Sequence, residues 1–427
     1  VCYEKNLQFS EDPLPVFHSL QKKYSSGLVT VPTVGAGTVN TEFEILTGMR
    51  QHDFGVSEYP YKTVLKSKTS ESICTDLKKL GYSTHAVHNN EATFYGRNTV
   101  FSNIGFDTFC SMEYMNGLTD SPNGWSNDDI LSREIMKTLD STSGPDFTMA
   151  ITVQSHGKYD GIVLDDPTIK VTGAPEGKEQ AYEYYVNEIH EVDRMIDTLI
   201  KELSNRKEET VLVLYGDHLP SLDIQKDDLS NANLYQTQYV IWDNMNLKKK
   251  TKNLHAYQLY AEVLDRIQIH EGMITKYHQQ TKHRSKLYLK GLTTLSYDLL
   301  YGDNYAYGGE NPFKQTELQM GTEPVKLASV QKTKSGYRVV GSGFTPYCKV
   351  YYDGTLVESE WISSECLQLQ DEFELDEADK KDSEESETEV TEPRDVPNAF
   401  VVEVQSDDGV VLSSTQAYPA SQVKKIK

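Results

Sequence analysis

The stretch "ETVLVLYGDHLP", residues 209–220, decides the fold. Val211 to Tyr215 form an uninterrupted hydrophobic run of strand length, and Gly216 and Pro220 allow a tight exit from it. A strand buried on both faces belongs to a parallel sheet covered by helices. Such sheets bind ligands beyond the carboxyl ends of their strands, so Asp217 and His218 arrive together at the functional edge. Burying an unpaired carboxylate is costly, so Asp217 needs a partner there. A divalent cation is one, since carboxylate oxygen and neutral imidazole both suit zinc or manganese. An Asp cap beside a surface histidine is the other reading, and the dipeptide alone leaves both open.

The flanking sequence keeps the same rhythm. "GLVTVP" (27–32) reads as a strand, "SESICTDLKKLGY" (70–82) as a helix closed by Gly81, and "STHAVH" (83–88) as the next strand. "DFTMAITVQ" (146–154) is a further apolar run of strand length. A long helix is predicted over 177–205, with Tyr182, Val186, Ile189, Val192, Ile196, Leu199 and Leu203 on one face. His190 lies in that helix, matches no site motif and reads as a helix-surface histidine. "TQYVIW" (237–242) and the helix "LHAYQLYAEVLDRI" (254–267) continue the alternation. The fold class is therefore α/β, with a largely parallel sheet and helices on both faces.

Candidate functional residues are sought at the strand ends. In "VGAGTVNTEFEILTG" (34–48), Gly35 and Gly37 permit close backbone approach to a phosphate or sulfate. Thr38 then stands at the start of a helix, where free N–H groups favour developing negative charge. It has no activating histidine or lysine beside it in sequence, so as a nucleophile it needs a metal to lower its hydroxyl pKa. The bland reading is that Thr38 or Asn40 caps the helix. "QSHGKY" places His156 just after the strand 146–154, and "NNEATFYGRN" places Tyr95 and Arg97 in a loop after the strand ending at His88. Arg97, permanently charged and able to bond bidentately, would suit a phosphate. The set suits phosphoryl or sulfuryl transfer, where positioning and charge neutralisation carry the reaction.

Composition sets the bounds. The chain has 427 residues and a formal charge of −22, which excludes a typical nucleic-acid binder. Residues 371–395 alone hold thirteen acidic and three basic side chains, so this run reads as a solvated, disordered insertion rather than a calcium site. No run reaches the roughly 18–20 apolar residues of a membrane helix. No signal peptide is recognisable, and a start at Val1 reads as a trimmed chain. None of the five cysteines forms a CxxC pair; Cys348 and Cys366 are a candidate disulfide, and otherwise the cysteines read as free thiols. From about 322 short alternating runs with Gly, Pro and Asp-Gly turns predict a small all-β sandwich. The predicted domains are thus 1–315 and 322–427, the second interrupted by the insertion 371–395.

The stretches "GAGTVNTEFEILTG", "HNNEATFYGRNTVFSNIGFDTF", "TVQSHGKY" and "VLVLYGDHLPS" occur in the order seen in the lipoteichoic acid synthase family. That family is a sulfatase-like phosphoglycerol transferase branch of the alkaline phosphatase superfamily, and the resemblance covers about residues 10–305. It implies Thr38 as nucleophile, and Thr38, Asp217 and His218 as ligands of manganese or magnesium. It implies His156 and Arg97 as glycerophosphate contacts, with Tyr95 standing where the family often has Trp. Its donor would be a phosphatidylglycerol-type lipid and its acceptor a polyglycerolphosphate or glycan. The site would face outward from a bacterial cytoplasmic membrane, held there by upstream helices. The family's further metal-ligand glutamate falls, by counting, a few residues before Val1; Glu4 is the nearest candidate, in surroundings unlike a strand end. The β module resembles immunoglobulin-like modules of bacterial surface proteins, serving as a wall or glycan binder or as a spacer. Rival readings are another phosphodiesterase, a phosphoethanolamine transferase or a sulfatase-like hydrolase, and a surface-binding pseudoenzyme without catalysis.

Overall fold

The computed structural model describes residues 4–55, 58–283, 285–370, 373–375 and 392–426. The N-terminal part has the strands β1 (Gln8–Phe9), β2 (Ser25–Thr30), β3 (Ser83–His88), β4 (Thr108–Cys110) and β5 (Asp146–Ile151). These are followed by β6 (Val171–Thr172), β7 (Val211–Tyr215), β8 (Gln236–Asp243), β9 (Leu254–His255) and β10 (Gln319–Met320). Its helices are α1 (Pro15–Lys23), α2 (Thr38–Thr47), α3 (Ile73–Lys78), α4 (Arg97–Asn103) and α5 (Ile130–Asp140). After them come α6 (Glu179–Asn205), α7 (Ala256–Arg266), α8 (Met273–Gln280) and α9 (Lys286–Leu300).

The sheet comes in two parts. One, ordered β10-β4-β3-β5, is parallel throughout; the other is β7-β8-β2-β9. Only β8 is reversed in it, antiparallel to both neighbours, with Tyr215 opposite Tyr239 and Val29 opposite Thr237. The reversal has a local cause: no α-helix intervenes between β7 and β8, so the chain returns without a crossover. The facing edges of β5 and β7 do not pair. Between them runs a cavity of about 1080 Å³, lined by Met149, Ile151, Leu212, Leu214, Val192 and Leu259, and reaching Thr38, Asp217 and His218.

Helices cover both faces, as the apolar periodicity requires. On one side α1, α5 and α6 pack Leu20, Leu131, Ile135, Val192 and Leu199 against Val87, Val240 and Trp242. On the other, Phe43, Leu46, Ile73, Phe101, Tyr260 and Leu292 close over Ala86 and Met149. The predicted helix 70–82 is shorter than read. Ser72 caps α3, its Oγ accepting from the N–H of Cys74 (3.1 Å) and Thr75 (3.3 Å), and the helix ends at Lys78. Among the described residues no helix is long and apolar enough to cross a membrane.

Two further sheets form the C-terminal module. Its strands are β11 (Lys326–Thr333), β12 (Gly336–Ser342), β13 (Cys348–Tyr352), β14 (Thr355–Val357) and β15 (Ser359–Ser363). The remainder are β16 (Cys366–Leu369), β17 (Ala399–Gln405), β18 (Val411–Ser414), β19 (Tyr418–Pro419) and β20 (Lys424–Lys425). The orders are β15-β16-β12-β11-β20 and β14-β13-β17-β18, with β19 on β17. Val330, Val339, Phe344, Val350, Leu367 and Phe400 fill the space between them. Cys348 and Cys366 lie in different sheets and both are free thiols, so the candidate disulfide is not formed. Within the acidic run, Phe373 packs against Phe400 and Leu375 is buried, so these two large apolar side chains tie its start into the sandwich. Residues 371–372 and 376–391, and the disorder expected of them, lie outside the described residues. The module is bonded to the first part through Tyr114 Oη to Ser413 Oγ (2.7 Å) and Thr345 Oγ1 to the Glu113 carbonyl (2.7 Å).

One buried carboxyl makes stability depend on pH. Glu44 of α2 is buried, accepts the Gln51 N–H at 3.0 Å, and burial pushes its pKa from an ordinary 4.5 to about 8. Between these values the folded chain keeps a proton that the unfolded chain releases. That stabilisation is complete below about 4.5 and is lost as pH rises toward 8, by on the order of a few kcal/mol. Glu44→Gln is expected to be near neutral at pH 5 and stabilising at pH 8. Urea midpoints at the two pH values check this, and a pH-independent difference would contradict it.

Candidate functional site

Helix α2 opens on a glycine, not on a side-chain cap. Gly37 is the N-cap at φ +93°, Thr38 is the first helical residue, and no side chain bonds the cap. The alternative reading, in which Thr38 or Asn40 merely caps the helix, is thereby excluded. A Cβ on Gly37 would lie 2.8 Å from Thr33 Oγ1 and 3.3 Å from Tyr59 Oη, so only glycine fits both the space and the conformation. Gly37→Ala is expected to cost about 1–3 kcal/mol in urea unfolding and to lower turnover by displacing Thr38. An unchanged urea midpoint would contradict the claim.

Thr38 is thereby left facing the exit of β7. Its Oγ1 lies 3.3 Å from His218 Nε2, and that nitrogen lies 3.2 Å from Asp217 Oδ2. The Thr41 hydroxyl donates to the Asp217 carbonyl at 2.7 Å and ties the first turn of α2 to this loop. Asp217 Oδ1 accepts the His218 N–H at 2.9 Å. His218 Nδ1 is 2.8 Å from the Leu219 carbonyl, which can only accept, so Nδ1 carries a proton and Nε2 faces Thr38 and Asp217.

Thr38 Oγ1, His218 Nε2 and Asp217 Oδ2 thus converge. With a neutral imidazole, this set of two oxygens and one nitrogen leaves a carboxylate charge that a divalent cation would balance. Oxygen, nitrogen and oxygen donors fit manganese or magnesium at three of its positions. Asn40 Oδ1, buried in the same helical turn, has no hydrogen-bond partner. Among the described residues no three His, Cys, Asp or Glu gather in one place, so Thr38 is needed to complete even this set. Glu4 does not join it: its Oε1 accepts the Tyr182 hydroxyl at 3.2 Å, and burial raises its pKa.

His156 follows β5 and lines the same cavity as Thr38, Asp217 and His218. Its Nδ1 lies 2.7 Å from the Gly157 carbonyl, leaving Nε2 as the available nitrogen, and its ring meets Trp125 edge to face at 4.8 Å. Tyr95 is in the left-handed region at φ +61° and stacks on Tyr59 at 6.1 Å and 14°. Lys62 Nζ sits 5.0 and 5.1 Å from the two ring centroids. Burial first, then Tyr59, Glu42 and Asp217, hold the Tyr95 hydroxyl above its usual pKa.

Arg97 is not brought to the cavity. It is 1% exposed, with Nη2 donating to Glu42 Oε1 at 2.6 Å and Nε to Glu42 Oε2 at 3.2 Å. The guanidinium expected to meet a phosphate is instead committed to a carboxylate of the Thr38 helix. Glu42 sits one turn after Thr38, but nothing in the sequence separates it from Glu44 of the same helix, which is also buried. Tyr59, Lys62 and Trp125 carry no sequence signal, because tertiary packing alone brings them here.

Residues 3–288 match the sulfatase family. The chain is 30% identical over 262 residues to a candidate cyclic beta-1,2-glucan modification protein of Rhizobium meliloti, covering 57% of this chain and 40% of that protein. It is 24% identical over 199 residues to lipoteichoic acid synthase 2 of Bacillus subtilis, covering 45% and 30%. It thus spans less than half the length of these curated relatives. Among solved structures it resembles the Streptococcus pyogenes phosphoglycerol transferase GacH in complex with sn-glycerol-1-phosphate. There the TM-score is 0.61 at 22% identity, over 74% of this chain and 87% of that one. The lipoteichoic acid synthase LtaP of Listeria monocytogenes gives 0.50 at 17%, over 64% and 73%.

Proposed function

The chain belongs to the sulfatase family, on the lipoteichoic acid synthase-like side of the alkaline phosphatase superfamily, and from this we propose that it is a phosphoglycerol transferase. The donor is a phosphatidylglycerol-type lipid, the acceptor a hydroxylated cell-envelope polymer or glycan, and the work is done on the outer face of a bacterial membrane. The observation that carries the reading is the convergence of Thr38 Oγ1, His218 Nε2 and Asp217 Oδ2 at the start of α2.

Thr38, Asp217 and His218 would hold a manganese or magnesium ion. When bound, such an ion lowers the pKa of the Thr38 hydroxyl and neutralises charge on the phosphoryl oxygens. Thr38, its hydroxyl proton released to solvent, forms a bond from Oγ1 to phosphorus as the phosphorus–oxygen bond to diacylglycerol breaks. We assign His156 Nε2 to protonate the departing oxygen. The acceptor hydroxyl then gives its proton to His156 and attacks phosphorus, and the bond from phosphorus to Thr38 Oγ1 breaks, returning Thr38 as the alkoxide that began the cycle. The α2 N-terminus favours negative charge at each step. The covalent intermediate lets two bulky substrates use one site in turn.

The test is release of diacylglycerol from phosphatidylglycerol vesicles. Release with manganese, lost on chelation and restored by manganese, is expected. No release by a protein shown to bind manganese would sink the phosphatidylglycerol reading.

A further inference from the structure

The link from β4 to α5, residues 111–129, is held at both ends. Near its start Tyr114 packs against the cores of both parts of the chain, and its hydroxyl meets Ser413 of the sandwich at 2.7 Å. Thr345 Oγ1 donates to the Glu113 carbonyl at 2.7 Å, and Asn116 Nδ2 to the Phe344 carbonyl at 3.1 Å. Near its end the buried Asp128 carboxyl accepts the N–H groups of Val153 (2.8 Å) and Gln154 (3.1 Å), just after β5. Between these anchors "TDSPNGWSN" (119–127) folds back on itself as a small hairpin. Asn127 N–H donates to the Thr119 carbonyl and Ser121 N–H to the Trp125 carbonyl, both at 2.8 Å, and Gly124 turns the tip at φ +86°.

The tip of this hairpin meets the backbone on either side of the His156 ring. Asn123 Nδ2 donates to the His156 carbonyl at 2.9 Å, while its Oδ1 accepts the Ser121 hydroxyl at 2.7 Å. Trp125 Nε1 donates to the Gly157 carbonyl at 2.8 Å, the same oxygen that lies 2.7 Å from His156 Nδ1. A carbonyl only accepts, so Nδ1 carries a proton there and Nε2 is left for proton exchange. On its other side Gly157 abuts the loop that follows Asp217 and His218: a Cβ at residue 157 would lie 2.6 Å from Ser221 Oγ. Among the described residues lining the cavity His156 and Gly157 are present, and Asn123 and Trp125 are not. Whatever these two do for the reaction, they do through His156.

We infer that Trp125 and Asn123 are positioning residues for His156, and that the C-terminal sandwich serves the site by bracing the hairpin that carries them. Donors on two consecutive carbonyls fix the backbone of His156, and the shared Gly157 oxygen fixes its ring. A proton-transfer group displaced by about 1 Å loses much of its effect, so this support bears directly on turnover. The inference rests on the assignment of proton transfer to His156 made above.

The experiment compares two donors on the full chain: phosphatidylglycerol, and the p-nitrophenyl ester of glycerol phosphate, whose leaving group departs without a proton. Trp125→Ala is expected to lower turnover of phosphatidylglycerol about tenfold or more, and release of nitrophenolate only about twofold. In a His156→Ala background the same substitution is expected to change phosphatidylglycerol turnover by less than about twofold, because the two side chains act as a unit. Thr345→Val/Ser413→Ala, which loosens the brace, is expected to give the same donor pattern at about threefold. Nitrogen-15 NMR of histidine-labelled protein, with His156 assigned through His156→Gln, reads the ring without any turnover. A single tautomer protonated at Nδ1 is expected in the parent, and mixed tautomers in Trp125→Ala. Equal losses on both donors, additive losses with His156→Ala, or an unaltered ring signal in the Trp125 variant would overturn the inference. A Thr345→Val/Ser413→Ala variant as active as the parent would overturn the role given to the sandwich. If neither donor is cleaved, the phosphoglycerol-transfer reading fails, and the ring signal still decides whether Trp125 holds His156.

Discussion

Thr38→Ala is expected to lower donor cleavage by about 10⁴-fold or more while leaving thermal stability within about 0.5 kcal/mol of the parent. The two halves of this result separate the two readings of the residue. A lost helix cap would cost about 1 kcal/mol and spare chemistry. A lost nucleophile spares stability and removes chemistry. The geometry favours the second, since Gly37 is the N-cap and the Thr38 hydroxyl lies 3.3 Å from His218 Nε2. Thr38→Ser keeps an oxygen at that point and is expected to retain measurable turnover. Diacylglycerol release and a thermal melt on the same preparations check both halves. A stable, fully active alanine variant would exclude Thr38 as the nucleophile.

Glu42→Ala is expected to be the most destabilising single change, at about 3–5 kcal/mol, because it leaves the Arg97 guanidinium buried without its partner. Replacing both residues, Glu42→Leu with Arg97→Met, is expected to cost less than either single loss, since no buried charge is then stranded. A double-mutant cycle in urea measures this. Strictly additive costs would show that the pair is not coupled. Because Glu42 lies on the same helix as Thr38, both single variants are also expected to lower turnover.

How much of this was readable from residues alone follows from what each feature depends on. The strand 211–215 and helix 179–205 were legible because one is a continuous hydrophobic run and the other a long 3.6-residue stripe. Asp217, His218 and Thr38 were legible because each sits at a chain reversal marked by glycine. Their mutual distances were not, as they are set by the Thr41 bond that draws α2 onto the β7 loop. The reversed strand β8 was hidden because a buried strand looks alike in either direction. Arg97 was read as a phosphate contact because a loop arginine carries no sign of what it will meet. Only packing brings Glu42 within 2.6 Å of it. The Cys348–Cys366 pairing was suggested by proximity in sequence, and the sandwich puts the two in separate sheets.

The central claim is a covalent phosphothreonine ester at residue 38. The most direct measurement is mass spectrometry of the peptide containing Thr38 after incubation with manganese and phosphatidylglycerol. A glycerophosphate adduct on Thr38, absent in Asp217→Ala, is the predicted result. Diacylglycerol release with no adduct on Thr38, under quenching that preserves phosphate esters, would contradict the account.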